Sequence, residues 1–160
     1  FLQKFSYLGD LPITFSAPHV PNETLYRMVR ACIETAAADP ASLLSIGVYF
    51  ELWLLRLSGY MPDWSKCDEC GRMFDKIEDT SVRVNFHLMC AGCRKSSGRS
   101  IDGSCRVVAL AARRLSPGEF AKLTAGKSED LKYISTILKQ MISHSIGREV
   151  TSEKSLAINN

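Results

Sequence analysis

Two pairs of cysteines are the residues of this chain whose spacing could do chemistry. Cys67-Asp68-Glu69-Cys70 and Cys90-Ala91-Gly92-Cys93 are both Cys-x-x-Cys, and 19 residues separate them. Two residues between thiolates let both sulfurs reach one ion from a single tight turn. Two such turns supply the four corners of a tetrahedron, at the ~2.3 Å Zn–S distance typical of such sites. Gly71 follows the first pair, where a turning backbone favours a residue free to take positive φ. The spacing falls within the recognised zinc range. Four thiolates leave no position for water or substrate, so the expected cofactor is one structural Zn²⁺, not a reagent. Metal then replaces a core that so short a segment cannot build. In comparable peptides zinc contributes ~10–16 kcal/mol, so the module is expected to unfold without it.

Two disulfides or a redox pair are the competing readings. A redox pair needs only one Cys-x-x-Cys, at a helix start after a strand, and the surrounding pattern is not of that kind. Disulfides belong to exported, small-cored domains, and no export signal is seen. Cys32 lies on a helical apolar face and reads as core. Cys105 reads as a free thiol. His87, three residues before Cys90, is a possible substitute ligand that four thiolates make unnecessary.

Enzymatic patterns are otherwise poor, and the chain is not expected to be an enzyme. Gly126-Lys127-Ser128 resembles the end of a phosphate-binding loop, but its earlier glycine would fall at Ala121 and no strand precedes it. The His-x-Glu and Pro-Cys-x-x-Cys of zinc deaminases are absent. His19, His87 and His144 have no convincing acid or nucleophile neighbours in sequence.

One stretch could bind phosphates or an acidic peptide: Arg94, Lys95, Arg99, Arg106, Arg113 and Arg114, against a single Asp102. The plainer reading is a solvated basic face. Net charge is +3. Residues 1–80 carry 7 basic and 11 acidic side chains, whereas residues 81–160 carry 13 and 6. The chain is therefore no strong polycation, although its second half leans toward an anionic partner.

The elements that must position these residues are mostly helical. Residues 1–21 hold Pro12, Pro18 and Pro21, with a short helix expected near Phe1 to Leu8 and then an irregular arm. A helix is predicted from Asn22, its N-cap, to Ala38. Its stripe is Leu25, Met28, Val29, Cys32, Ile33, Ala36 and Ala37. Asp39-Pro40 starts the next, which runs to about Ser58 and is apolar around most of its circumference, so it should be the centre of the core. Gly59 and Pro62 end it. Val82, Val84, Phe86 and Leu88 alternate with polar residues as a strand, expected to pair with Met73 to Ile77 in a hairpin. Residues 95–104 read as a loop. Helices follow near Cys105 to Leu115, from the Ser116-Pro117-Gly118-Glu119 capping box to about Leu123, and from about Ser128 to Ile146, ended by Gly147. The expected fold is mainly α: a helical domain with an inserted small four-cysteine zinc module that contains a short β-hairpin. Residues 1–62 form the first part of the helical core, 63–94 the module and 95–160 the second part.

With 160 residues, 46% apolar and 23% charged, the chain is large enough for one ordinary core. The most apolar stretch, Leu43 to Leu57, is interrupted by Ser45, Gly47, Glu51 and Arg56, so no membrane span is expected. Phe1-Leu2-Gln3-Lys4 reads as the middle of a longer protein.

Several segments resemble the RecO family of bacterial recombination and DNA-repair mediators. The run Phe50-Glu51-Leu52-Trp53-Leu54-Leu55-Arg56-Leu57-Ser58-Gly59-Tyr60-Met61-Pro62-Asp63, then Cys67-Asp68-Glu69-Cys70-Gly71, is similar to that family's Phe-Glu-Leu helix, Gly-Tyr-x-Pro turn and cysteine knuckle. Tyr7-Leu8-Gly9-Asp10-Leu11 and Gly147 to Ser152 are weaker matches. The resemblance implies a helical, zinc-carrying domain that follows an N-terminal OB-fold, here absent. It implies a cytoplasmic, nucleoid-associated bacterial protein that binds single- and double-stranded DNA and anneals complementary strands. Its implied partners are RecR and the acidic C-terminal tail of the single-strand-binding protein SSB. Where the family often has an Arg that helps to hold that tail, this chain has Tyr49, and Thr151 stands at a family Lys. Arg27 and Arg30, or the basic stretch above, are then the substitute cations. The alternative is a zinc-braced protein–protein adaptor that never touches DNA.

Overall fold

The computed structural model describes residues 23–94 and 99–146. The expected N-terminal helix and arm, the Asn22 cap, Lys95, His19, the Gly147 stop and the polar tail lie outside them.

Helix α1, Glu23–Ala38, buries Leu25, Met28, Cys32 and Ala36. Ile33 is exposed and Val29 only half-buried, because α1 packs on one side alone, against two helices that come later in the chain. The Asp39 carboxylate accepts from the Ala41 N–H at 3.1 Å, and Pro40 opens a short 3-10 turn, Pro40–Ser42. This runs directly into α2, Leu43–Leu57. Gly59, at φ +76°, closes α2: its N–H bonds Arg56 O at 3.1 Å, and the Tyr60 N–H bonds Leu55 O at 2.8 Å. The left-handed step turns the chain back so that orphan carbonyls are satisfied.

Helix α2 buries nine of its residues, Glu51 among them, and is the centre of the core as the pattern predicted. Glu51 accepts from Ser135 Oγ at 3.0 Å. Pro40–Leu57 taken as one piece is long and apolar enough, by length and composition, to cross a membrane, contrary to the sequence expectation. In the fold it is a core helix. Its apolar circumference packs most extensively on three others: α1, α4 (Pro117–Leu123) and α5 (Ser128–Ile146). The α5 stripe Leu131, Ile134, Ile137, Leu138, Met141 and Ile142 is buried against it. At the base of α4 the Thr124 hydroxyl donates to Ser45 Oγ at 2.8 Å, a buried polar contact that ties α4 to α2. The predicted capping box at Ser116 and Glu119 is present in both directions.

The expected hairpin differs. Strands β1 (Thr80–Val82), β2 (Leu88–Met89) and β3 (Ser100–Ile101) form an antiparallel sheet in the order β2-β1-β3. Val82 faces Leu88, and Thr80 faces Ile101. The alternating run read as one strand is thus the two arms of a hairpin. The chain turns where Phe86 takes φ 63°, an uncommon conformation for a non-glycine residue, with Arg83 and His87 bonded across the turn at 2.8 Å. Val84, at the tip, is 94% exposed, so its place in the alternation reports no buried face. Met73 makes only an isolated bridge to Lys66. The segment read as a loop supplies β3, which the Tyr133 hydroxyl of α5 ties down by donating to Ser100 O.

Helix α3, Gly103–Ala111, begins two residues before the expected Cys105 and ends short of Leu115. The Asp102 carboxylate accepts from the Cys105 N–H at 2.7 Å and fixes its start. Gly103 is required there: a Cβ would stand 2.5 Å from the backbone of Lys76 and Ile77.

Candidate metal centre

Each cysteine pair sits on a turn that its own backbone closes. The Cys67 N–H bonds Arg72 O at 2.8 Å, and the Gly71 N–H bonds Cys67 O at 2.9 Å. Gly71 takes φ +73°, as its position after the pair predicted. In the second turn the N–H groups of Cys93 and Arg94 both bond Cys90 O at 3.1 Å. The turns face each other: the Asp68 N–H bonds Leu88 O at 2.9 Å, and the Cys90 N–H points at Cys67 Sγ at 3.4 Å.

The sulfurs of Cys67, Cys70, Cys90 and Cys93 all lie within 4.8 Å of one another, so this group could hold one metal ion. Cys70 Sγ and Cys90 Sγ are 3.9 Å apart. A tetrahedron with metal–sulfur bonds of ~2.3 Å has edges of about 3.8 Å, so the separation suits a four-sulfur site and exceeds the ~2.05 Å of a disulfide. All six cysteines are free. Burial disfavours the Cys67 thiolate, but N–H groups of Cys70, Cys90 and Glu69 aimed at it outweigh that and bring its pKa down to about 6. The hydrogen bonds that the Cys93 thiol donates to Cys90 and Cys70 keep it protonated and push its pKa up to about 12. Four crowded sulfurs cannot all be anionic by themselves, and a divalent cation removes that conflict. The donor set fits such an ion.

Charged residues flank the site. Arg83 spans Asp68 and Glu69, at 3.1 and 2.9 Å, and so braces the two residues between the first pair of ligands. His87 is not drawn to the sulfurs. Its Nδ1 meets Asp68 Oδ1 at 2.7 Å. Arg72 pairs with Glu78 at 2.5 and 2.9 Å, and the bond to Glu78 raises its pKa.

Cys32 is buried on α1 with its thiol 3.8 Å from Met28 Sδ, a core residue as read. Cys105 clusters with Asp102 and Asp130, a grouping that sequence spacing did not reveal. Burial pushes its thiol up to about 12, Asp102 is spent as a helix cap, and Asp130 accepts from Ser104 at 2.9 Å.

The basic residues are not all on one face. Arg94, Arg99, Arg113 and Arg114 are exposed. Arg99 donates to Gln140, and Arg113 lies 3.7 Å from Asp63. Arg106 corrects the sequence reading: it is 2% exposed, so it cannot contact a ligand at the surface. Its side chain turns inward because the carbonyls of Asp75 and Glu78 accept from it there. Arg27 and Arg30 are exposed on α1 but paired to Glu23 and Glu34 along the same helix. Tyr49 is buried, donates to Leu115 O at 3.0 Å and packs on Phe120. Gly126-Lys127-Ser128 is the turn between α4 and α5, with Gly126 at φ +80°.

A groove of about 210 Å³ was not foreseen. Leu52, Trp53 and Arg56 of α2 form one wall, the Met61–Trp64 segment a second, and the end of α3 with Arg113 the third. Arg56 stacks 5.3 Å from the Trp53 ring centroid, while Trp53 Nε1 donates to Ala112 O at 2.9 Å. Its sequence signal is the spacing of Leu52, Trp53 and Arg56 on one helical face, hidden in a helix apolar nearly all round.

No solved structure matches the chain. The DNA repair protein RecO of Desulforamulus reducens is 27% identical over 154 residues, 93% of this chain and 58% of that protein. The DNA repair protein RecO of Koribacter versatilis is 28% identical over 94 residues, 56% of this chain and 35% of that protein. The matched stretch thus covers less than two thirds of the length of either relative. A family model described as "Recombination protein O C terminal" matches residues 6–154, nearly the whole chain, and its match takes in both cysteine turns and every described helix. On that match the chain belongs to the RecO C-terminal family.

Proposed function

We propose that this chain is the zinc-stabilised helical part of a bacterial DNA repair and recombination mediator. The observation that carries the reading is the family match over residues 6–154, which encloses a closed four-sulfur cluster. The metal is one Zn²⁺ held by Cys67, Cys70, Cys90 and Cys93. A site of four thiolates keeps no open position, so its work is structural and the chain is no zinc enzyme. The whole protein binds single- and double-stranded DNA, assists strand annealing and recombinase loading with RecR, and works in the cytoplasm at the nucleoid.

Exposed Arg94, Arg99, Arg113 and Arg114, with Lys95, are the candidate phosphate contacts. For the acidic tail of SSB the favoured place is the groove beside α2. Its apolar walls and the cations Arg56 and Arg113, the latter beside Asp63, suit an acidic peptide. Arg56 and Arg113 take the part that the Tyr49 position lacks.

The test uses the full-length protein with complementary oligonucleotides coated in SSB. Faster annealing that weakens as salt rises supports a mediator. Capture of SSB with no salt-sensitive DNA binding at any concentration overturns it in favour of the adaptor.

A further inference from the structure

The groove and the metal module meet along a single seam. Arg106 lies on the first turns of α3, in the helical core. Its guanidinium donates to the carbonyls of Asp75 and Glu78, in the loop that follows the first cysteine turn. That loop is closed on itself, since the Glu78 N–H bonds Asp75 O at 3.2 Å and Glu78 Oε2 accepts from the Asp75 N–H at 3.3 Å. Phe74 stands between two cations: Arg106 at 4.9 Å and Arg72 at 6.0 Å from its centroid. It packs both on the main core and on the small cluster of Cys67, Met89 and Cys90. At Gly103 the backbones of α3 and of residues 76–77 touch with no room for a side chain.

Two of the three groove walls descend from this seam. Helix α3 starts at the joint and ends at the groove, where Leu110 and Arg113 line it. The Met61–Trp64 wall is the chain's entry into the metal module. Trp64, fully buried, donates from Nε1 to Phe86 O in the hairpin turn at 3.0 Å. The α2 wall is held by the helical core alone, whereas α3 is held both by its packing on α5 and by this seam.

We infer that the metal centre governs the shape of the groove, with Arg106 and Trp64 as the two links. With the ion bound, the cysteine turns hold the 72–79 loop and the hairpin, and these hold α3 and residues 61–64. Without it, the loop loses its order, the two walls loosen and the α2 wall stays. The groove then becomes a site that senses metal loss. The inference rests on the metal reading proposed above, but its readout needs neither DNA nor peptide.

Hydrogen exchange of the full-length protein tests it, before and after chelation of its metal. The expected result is exchange at least about tenfold faster at residues 61–64, 75–78 and 103–113, with Leu43–Leu57 and Ser128–Ile146 unchanged. Equal acceleration through all helices, or none at 103–113, would overturn it. Arg106→Gln provides a second arm. The variant should keep its metal yet show the same acceleration at 75–78 and 103–113, and unchanged protection there would refute the link. If Arg106→Gln does not fold, Gly103→Ala replaces it, because its Cβ drives α3 off the same loop.

Discussion

The guanidinium of Arg106 lies 4.9 Å from the centroid of the Phe74 ring, in a seam between a helix and a metal-binding turn. Burial pulls the Arg106 pKa down, opposed by Glu78, Asp75 and Asp79 nearby, and the group stays a cation. A buried cation is costly unless paired; two carbonyls that accept from one terminal nitrogen and an aromatic face supply part of that pairing, while Nε is buried with no hydrogen-bond partner among the described residues.

Removing that cation should therefore cost more than removing an exposed arginine. Arg106→Ala removes a buried side chain with its bonds to the Asp75 and Glu78 carbonyls, which costs ~1–3 kcal/mol, whereas Arg114→Ala should change stability by less than about 0.5 kcal/mol. Thermal denaturation of the two variants side by side checks this. Equal midpoints would show that the seam contributes nothing.

Metal content is the second expectation. The purified protein should hold one zinc per chain, and Cys67→Ser or Cys90→Ser should lower its affinity steeply. Replacement with Co²⁺ should give the visible and near-ultraviolet bands of tetrahedral thiolate ligation. A spectrum of mixed nitrogen and oxygen ligands would exclude the four-sulfur site.

Trp64 gives a graded test of packing. It is fully buried and its Nε1 bonds Phe86 O at 3.0 Å. Trp64→Phe should cost ~1 kcal/mol for the lost hydrogen bond, and Trp64→Ala ~3–5 kcal/mol with a cavity added. Denaturant titration distinguishes them, and similar losses would mean that the ring's volume is not what matters.

Asp102 predicts a pH dependence. Its bond from the Cys105 N–H, the largest influence, holds its carboxyl below the usual carboxylate range despite some burial. A depressed folded pKa means stabilisation that is fully present above the unfolded value, about 4, and fades as pH falls through the lower folded value. Asp102→Asn keeps a cap but should lose that acid dependence. Asp102→Ala should lose ~1 kcal/mol at neutral pH. Stability measured from pH 2 to pH 7 decides, and an identical acid limb in Asp102→Asn would count against the cap.

The exposed cations bear on DNA. Arg94→Glu, Arg99→Glu and Arg113→Glu in the full-length protein should weaken binding and flatten its dependence on salt, each by roughly one unit of slope if it contacts a phosphate. Arg106→Gln should leave the slope unchanged, because its side chain is inside. A fluorescence-anisotropy titration across a salt series separates the two, and unaltered slopes in all three would discard this face.

Local patterns determined much of this protein by themselves. Two Cys-x-x-Cys turns, Gly71, the Asp39-Pro40 start, the Gly59 stop and the Ser116–Glu119 capping box involve groups within a few residues of each other. Chain chemistry at that range leaves little choice. The helical stripes of α1 and α5 and the all-round apolarity of α2 likewise declare their burial. Tertiary structure alone decided what distant segments do to one another. Val82 to Leu88 alternates like a strand, yet closing the cysteine turns on each other bends it at Phe86, and β3 arrives from a stretch that composition marks as loop. Arg106 reads as one more surface cation until two carbonyls some 30 residues away in the chain, in the Asp75–Glu78 loop, accept its protons inside the fold. The groove exists only because the end of α3 meets α2 beside Trp64. Such contacts depend on which surfaces packing brings together, and no spacing along the chain records that.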